Sequence, residues 1–200
     1  MCRITAWSAF ESASHMTQIH SFPPVTDKSV TKLILGSMPG KASLAANQYY
    51  AHPRNIFWPM METVMNVRLE LPYATRCKQL TQHNVALWDV LKACTRTGSL
   101  DSDVIESSIV PNDFETFFRT HPRIRAIYFN GAKAESIYVR HVIPNLSPEF
   151  ADIVMTRLPS TSPANASIPF ARKVARWEVV GKGIACGDMA CRDGKRQIGR

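Results

Sequence analysis

The sequence predicts an α/β fold, a three-layer α/β/α sandwich around a central, mainly parallel four-stranded sheet. Three observations carry that expectation. Four short, near-continuous apolar runs recur at wide spacing: "VTKLILGS" from Val30, "VALWDVL" from Val85, "IRAIYFN" from Ile124 and "DIVMTRLPS" from Asp152. Segments with helical spacing separate them. Finally, the runs lack the polar alternation of a half-exposed sheet, so both faces of each strand are expected to be buried, as in a parallel sheet covered by helices.

Before about Ser21 no periodicity is evident, and Pro23 and Pro24 in "SFPPVTDKS" forbid helix. Residues 1–21 are therefore expected to be a disordered or dispensable segment, with the domain over residues 22–180. The helical candidates come in order along the chain: "NIFWPMMETVMNV", "YATRCKQLTQHN", "NDFETFFRTH", "AKAESIYVRHVI" and "IPFARKVARWEVV". The last twenty residues, 181–200, are Gly-rich and basic and lose that period, so a mobile tail is expected there.

With 200 residues the chain can bury one sizeable core, and it has no run of 18 apolar residues that could span a membrane. Lys and Arg number 24 against 16 Asp and Glu, a net charge of +8 that favours a polyanionic partner. The five cysteines are odd in number and scattered, and no convincing signal peptide precedes them, which suits reduced thiols in an intracellular protein. "CGDMAC" lacks a second ligand pair at metal spacing. Neither metal nor cofactor is expected.

Ligands of such folds sit beyond the carboxyl ends of the strands. "GSMPG", "LWDV", "FNG" and "LPSTSPANA" fall on that rim. Taken alone, "GSMPG" is a turn. Downstream of that turn, "YYAHPRNIFW" packs two tyrosines, a histidine, an asparagine and a tryptophan into ten positions. Asn55 there also suits the start of a helix.

As a unit, Gly36 to Trp58 resembles the first motif of the mismatch-specific branch of the uracil-DNA glycosylase superfamily. Closer still is the hypoxanthine-DNA glycosylase family of that superfamily, which is similar to this chain in "GSMPG", "YYAHPRNIFW", "ALWDVLKACTRTGSLDS", "FNG" and "LPSTSPANA". The likeness runs in order from about Phe22 to Val180. It implies the uracil-DNA glycosylase fold and a monofunctional DNA glycosylase acting in base-excision repair. Such an enzyme flips a deaminated base, hypoxanthine foremost, out of the stack and hydrolyses its N-glycosidic bond.

The resemblance distributes roles along the rim. Met38 stands where pyrimidine-directed relatives carry a water-orienting Asn or Asp and offers no useful donor or acceptor; the hypoxanthine family lacks that residue too, and resemblance to it points to Asn55 as the catalytic residue. Tyr50 takes the place of the aromatic that stacks on the extruded base, and Ser37, Met38, Asp89 and His52 complete the base-binding set; His52 is also suited to holding its loop by hydrogen bonds. Tyr49 is expected to face packing. Asn130 reads as structural or phosphate-facing, and Asp101 as a capping turn or the floor of the pocket. In the last segment Ser160, Thr161 and Ser162 supply hydroxyls to phosphates and Pro163, Ala164 and Asn165 form the wedge. Arg172, with Lys173 and Arg176, adds DNA-facing charge. Leu158 replaces the histidine with which one branch opens this motif.

The partner implied is damaged DNA, double- or single-stranded, with no membrane association and a monomeric enzyme. Alternatives within the class are a uracil, xanthine or mismatch-directed glycosylase. A different class is a catalytically inert DNA-binding module that uses the same basic rim. A small-molecule hydrolase would need an activated nucleophile, and no G-x-S-x-G elbow is present.

Overall fold

A computed structural model describes residues 17–96 and 104–182. At its centre lies a four-stranded parallel sheet formed by β2 (Lys32–Gly36), β3 (Val85–Asp89), β6 (Ala126–Asn130) and β7 (Val154–Leu158), in the order β3-β2-β6-β7. These are the four apolar runs. Every residue of β2, β3 and β6 is buried, as strands sandwiched between helices require. Strand β7 closes one edge and leaves Val154 and Met155 largely exposed, so burial on both faces does not extend to it.

The five expected helices are present as α2 (Phe57–Met65), α3 (Tyr73–Gln82), α4 (Phe114–Thr120), α5 (Ala132–His141) and α6 (Phe170–Gly181). A short α1 (Lys41–Ala46) occupies the small-residue stretch after "GSMPG". Alternation along β6 shows how the layers form. Phe129 packs on Tyr138 of α5, while the hydroxyl of its neighbour Tyr128 donates to the Val179 carbonyl of α6. Helices α4 and α5 meet through Phe114 and Tyr138 on the first face. On the other, Phe57 of α2 meets the edge of Trp177 from α6.

A second, antiparallel sheet in the order β1-β4-β5 was not expected from the sequence. It joins β1 (Thr17–His20), β4 (Leu91–Arg96) and β5 (Val110–Pro111). The expected boundary near Phe22 therefore moves: Thr17 to His20 pair with Arg96 to Ala93 and belong to the folded body. Four residues are too few to show a period, and "LWDVL" carries no Gly or Pro to mark the point where β3 ends and β4 begins. The remainder of the N-terminal segment, the tail after residue 182, Cys2, Cys186, Cys191 and Asp101 lie outside the described residues.

Candidate active site

Strands β2 and β3 run in register with Gly36 opposite Asp89, so their carboxyl ends set these two residues side by side. Gly36 is required there. A Cβ at this position would overlap the Asp89 carboxylate and come within 3.0 Å of the Tyr50 hydroxyl oxygen. Asp89 is only 3% exposed, and Asn112 holds its backbone carbonyl with a 2.9 Å amide hydrogen bond.

The two tyrosines part as expected. Tyr49 is buried, its hydroxyl directed at the Phe22 and Pro23 carbonyls and its own carbonyl accepting from the Trp58 indole at 2.9 Å. Burial, reinforced by the nearby Asp89 charge, raises its phenol far above the usual range and keeps it neutral. Tyr50 turns the opposite way because its backbone takes φ +56°, a conformation rare for a bulky residue. Its ring stacks on Phe57, centroids 4.0 Å apart, and its hydroxyl reaches the Gly36–Asp89 corner. Such strain persists where surrounding structure over-determines it.

Asn55 lies at the foot of this stack. Its side-chain oxygen accepts from the Phe57 N–H at 3.0 Å, closing an Asx-type turn that starts α2, and this hydrogen bond fixes the amide. His52 accepts the Arg54 N–H at Nδ1, 3.1 Å, which assigns it to loop geometry. Ser37 is partly exposed and its carbonyl accepts from Leu91. Met38, 7% exposed, joins the hydrophobic core, so its contribution to the rim is an apolar wall.

The loop after β7 meets this corner directly: the Thr161 carbonyl accepts from Ile56 N–H, 3.1 Å, joining the last rim loop to the first. Thr161, expected among the phosphate-contacting hydroxyls, is instead 1% exposed and fully engaged by Asn130. The Asn130 amide donates to its hydroxyl and accepts its N–H, both at 2.8 Å. Gly131, at φ +105°, allows the close approach, since a Cβ there would stand 2.9 Å from that of Ser160. Ser160 and Ser162 accept from the Ser162 and Ala164 N–H groups. Pro163 to Asn165 form a single 3-10 turn with Ala164 exposed at its tip. Beside it a cleft of about 760 Å3 is lined by Arg157, Ser160, Asn165, Arg172 and Arg176. Lys173, grouped in the sequence with the DNA-facing charges, is 2% exposed and points inward.

Sequence reasoning also missed Arg96. Its buried guanidinium donates to the Pro39 carbonyl at 2.7 Å and props the "GSMPG" turn from β4. No local pattern marks it, because the contact spans 57 positions.

Fold and rim define a class: an α/β enzyme that gathers a stacked aromatic, a carboxylate and a pinned amide at the carboxyl ends of its parallel strands, beside a loop and cleft bearing arginines. The chain belongs to the Uracil DNA glycosylase superfamily, whose family model matches residues 23–180. It is similar to the hypoxanthine DNA glycosylase of Methanosarcina acetivorans, 40% identical over 114 residues, which cover 56% of this chain and 71% of that protein. The hypoxanthine DNA glycosylase of Methanosarcina barkeri is 37% identical with the same coverage. A solution NMR structure of a Methanosarcina acetivorans protein, provisionally described as a uracil DNA glycosylase, superposes with a TM-score of 0.68 at 32% identity, covering 82% of this chain and 97% of that one. This protein is accordingly a DNA glycosylase, a hydrolase of N-glycosidic bonds.

Proposed function

We propose that the base released is hypoxanthine, the deamination product of adenine. The observation that carries this reading is the Asp89 carboxylate beside Gly36 and the Tyr50 hydroxyl. Hypoxanthine presents a ring N1–H where adenine presents a bare acceptor, so a carboxylate attracts the first and repels the second. The two similar Methanosarcina proteins named for hypoxanthine support the same choice.

In this mechanism the extruded base stacks on Tyr50 and its N1–H meets Asp89. The C1′–N9 bond breaks with its electron pair leaving on the base, and the sugar acquires oxocarbenium character. Water held by the Asn55 amide adds to C1′, and the proton it loses passes through solvent to the departing base anion, which leaves as neutral hypoxanthine. Because the electrophile is strong, a positioned water suffices and Asn55 needs no basicity. Ser160 and Ser162 hold the flanking phosphates, and the Pro163–Ala164 tip fills the space that the base vacates.

Oligonucleotides carrying inosine, xanthine, uracil, mismatched thymine or adenine, treated with alkali after incubation, test the assignment. Inosine strands are expected to break and adenine strands to survive. Breakage confined to uracil would move the enzyme to the pyrimidine-directed branch, and a mobility shift without breakage at any base would leave a DNA-binding module. Asn55→Ser retains a turn-forming oxygen and should keep the fold. It should nevertheless lower kcat on inosine DNA by about 100-fold or more while DNA affinity holds, the mark of a group acting in the transition state. Activity within about twofold of wild type would reduce Asn55 to a cap.

A further inference from the structure

The loop from Ser160 to Asn165 is held from below by a buried charge. Lys173, on the first turn of α6 that faces the sheet, is buried, and its Nζ donates to the Ser160 and Asn165 carbonyls, each at 2.7 Å. Those oxygens mark the two ends of the loop. The Ser160–Thr161 peptide is thereby gripped at both poles, its oxygen by Lys173 and its N–H by the Asn130 amide oxygen at 2.8 Å. One turn further along α6, the Trp177 indole donates to the Pro159 carbonyl at 2.9 Å. At the tip, Ala164 is exposed and Pro163 half-buried within a single 3-10 turn.

A buried ammonium is costly, and burial lowers its proton affinity. An aliphatic side chain of similar volume would fill the same space without that cost, so packing alone does not explain a lysine here. What an aliphatic chain cannot do is draw carbonyls from both ends of the loop onto one point. A wedge entering a stacked duplex must resist being pushed back, and its tip is only as stiff as the ends of its loop.

We propose that Lys173 is a positioning residue for base extrusion, clamping both ends of the 160–165 loop so that the Pro163–Ala164 tip stands rigid against a DNA duplex. The inference rests on the glycosylase reading and concerns how a paired base is reached. Extrusion from a duplex carries an unstacking and unpairing cost that single-stranded DNA avoids. Loss of the clamp should therefore separate the two substrates.

Lys173→Met replaces the ammonium by a neutral chain of similar length. Two measurements on the full chain are combined. Amide hydrogen exchange without DNA should speed up at Ser162, Ala164 and Asn165 by about tenfold or more, since local opening governs exchange. The ratio of kcat on duplex inosine DNA to kcat on single-stranded inosine DNA should fall about tenfold, with KM on the duplex changing far less. Unchanged exchange in the loop overturns the clamp, and an equal loss of kcat on both substrates overturns its role in extrusion. If wild type releases no hypoxanthine from either substrate, the base assignment is at fault, and the exchange measurement still decides the clamp. Should Lys173→Met fail to fold, Lys173→Gln, able to reach one carbonyl, is read by the same two measurements.

Discussion

Lys32 and Lys173 are buried with backbone carbonyls as their partners, and the arrangement links single residues to pH. Lys32 donates to Val180 at 2.7 Å and Lys182 at 3.2 Å, capping the end of α6, and burial lowers its pKa. Below the lowered value both folded and unfolded states hold the proton, and stability does not vary with pH on its account. Between that value and the unfolded value of about 10.4 the unfolded chain binds more protons, so the contribution of this residue to stability rises with pH. Urea unfolding from about pH 7 to 10 should show wild type gaining on Lys32→Met across that window. A difference between the two that stays constant with pH would show that the folded lysine titrates normally. Met38 makes a different case. Placing an amide there, as in Met38→Asn, puts a polar group among core side chains, and we expect a loss of roughly 1–3 kcal/mol in unfolding free energy. Uracil release should appear or increase, since the rim regains a water-orienting group. A stable, uracil-inert variant would place base choice elsewhere, with Asp89 and Tyr50 the first residues to examine.

Among elements, β1 shows how four residues can matter. Its partner β4 leads from Asp89 at the rim to Arg96, which supports the turn after β2. Without β1, β4 becomes an edge of the small sheet, and the Arg96 prop under Pro39 loses a stiff backing. Truncation before Thr17 should leave the melting temperature unchanged to within about 1 °C, whereas truncation before Phe22 should lower it by about 2–4 °C for each kcal/mol of lost pairing. Base release should fall with the second truncation and hold with the first. Equal melting temperatures for the two would show that β1 contributes nothing to the sheet. The rim loops form a comparable unit: Ile56 to Thr161, Thr161 to Asn130 and Lys173 to Ser160 make a continuous chain of hydrogen bonds from α2 to α6.

At the scale of the whole molecule, a net charge of +8 is spread over a surface whose arginine-bearing cleft adjoins the exposed loop tip. DNA affinity should fall steeply with salt, because each phosphate neutralised releases counterions. Arg172→Glu should weaken binding to damaged and undamaged duplex alike and reduce the slope of log K against log salt by about 1 or more. An unchanged slope would place the phosphate track away from this cleft. No helix among the described residues is long and apolar enough to cross a membrane.

The four core strands, five of the helices and the rim were legible in the sequence because each rests on local signals: unbroken apolar runs, helical spacing, and glycines at strand ends. Asn55 and Tyr50 stand out in the sequence through the motif they share, and the structure sets both against Phe57. The second sheet was not, since pairing between Thr17 and Arg96 joins segments far apart along the chain and leaves no periodic trace. Lys173 and Arg172 are neighbours in a basic run, and composition assigns both to the DNA face.

The sequence by itself determined the order of strands and helices along the chain, the placement of chemistry at the strand ends and the kinship to glycosylases. The first two follow from the residue period and from spacing along the chain, the third from the resemblance of its motifs to those of the family. Tertiary structure alone decided direction: which hydroxyl is turned inside the loop, and which cation faces inward. The physical reason is that a side chain's direction depends on where the helix or strand sits against the sheet. A buried ammonium drawing in two carbonyls and an exposed guanidinium lining the cleft differ by one step of about 100° around α6.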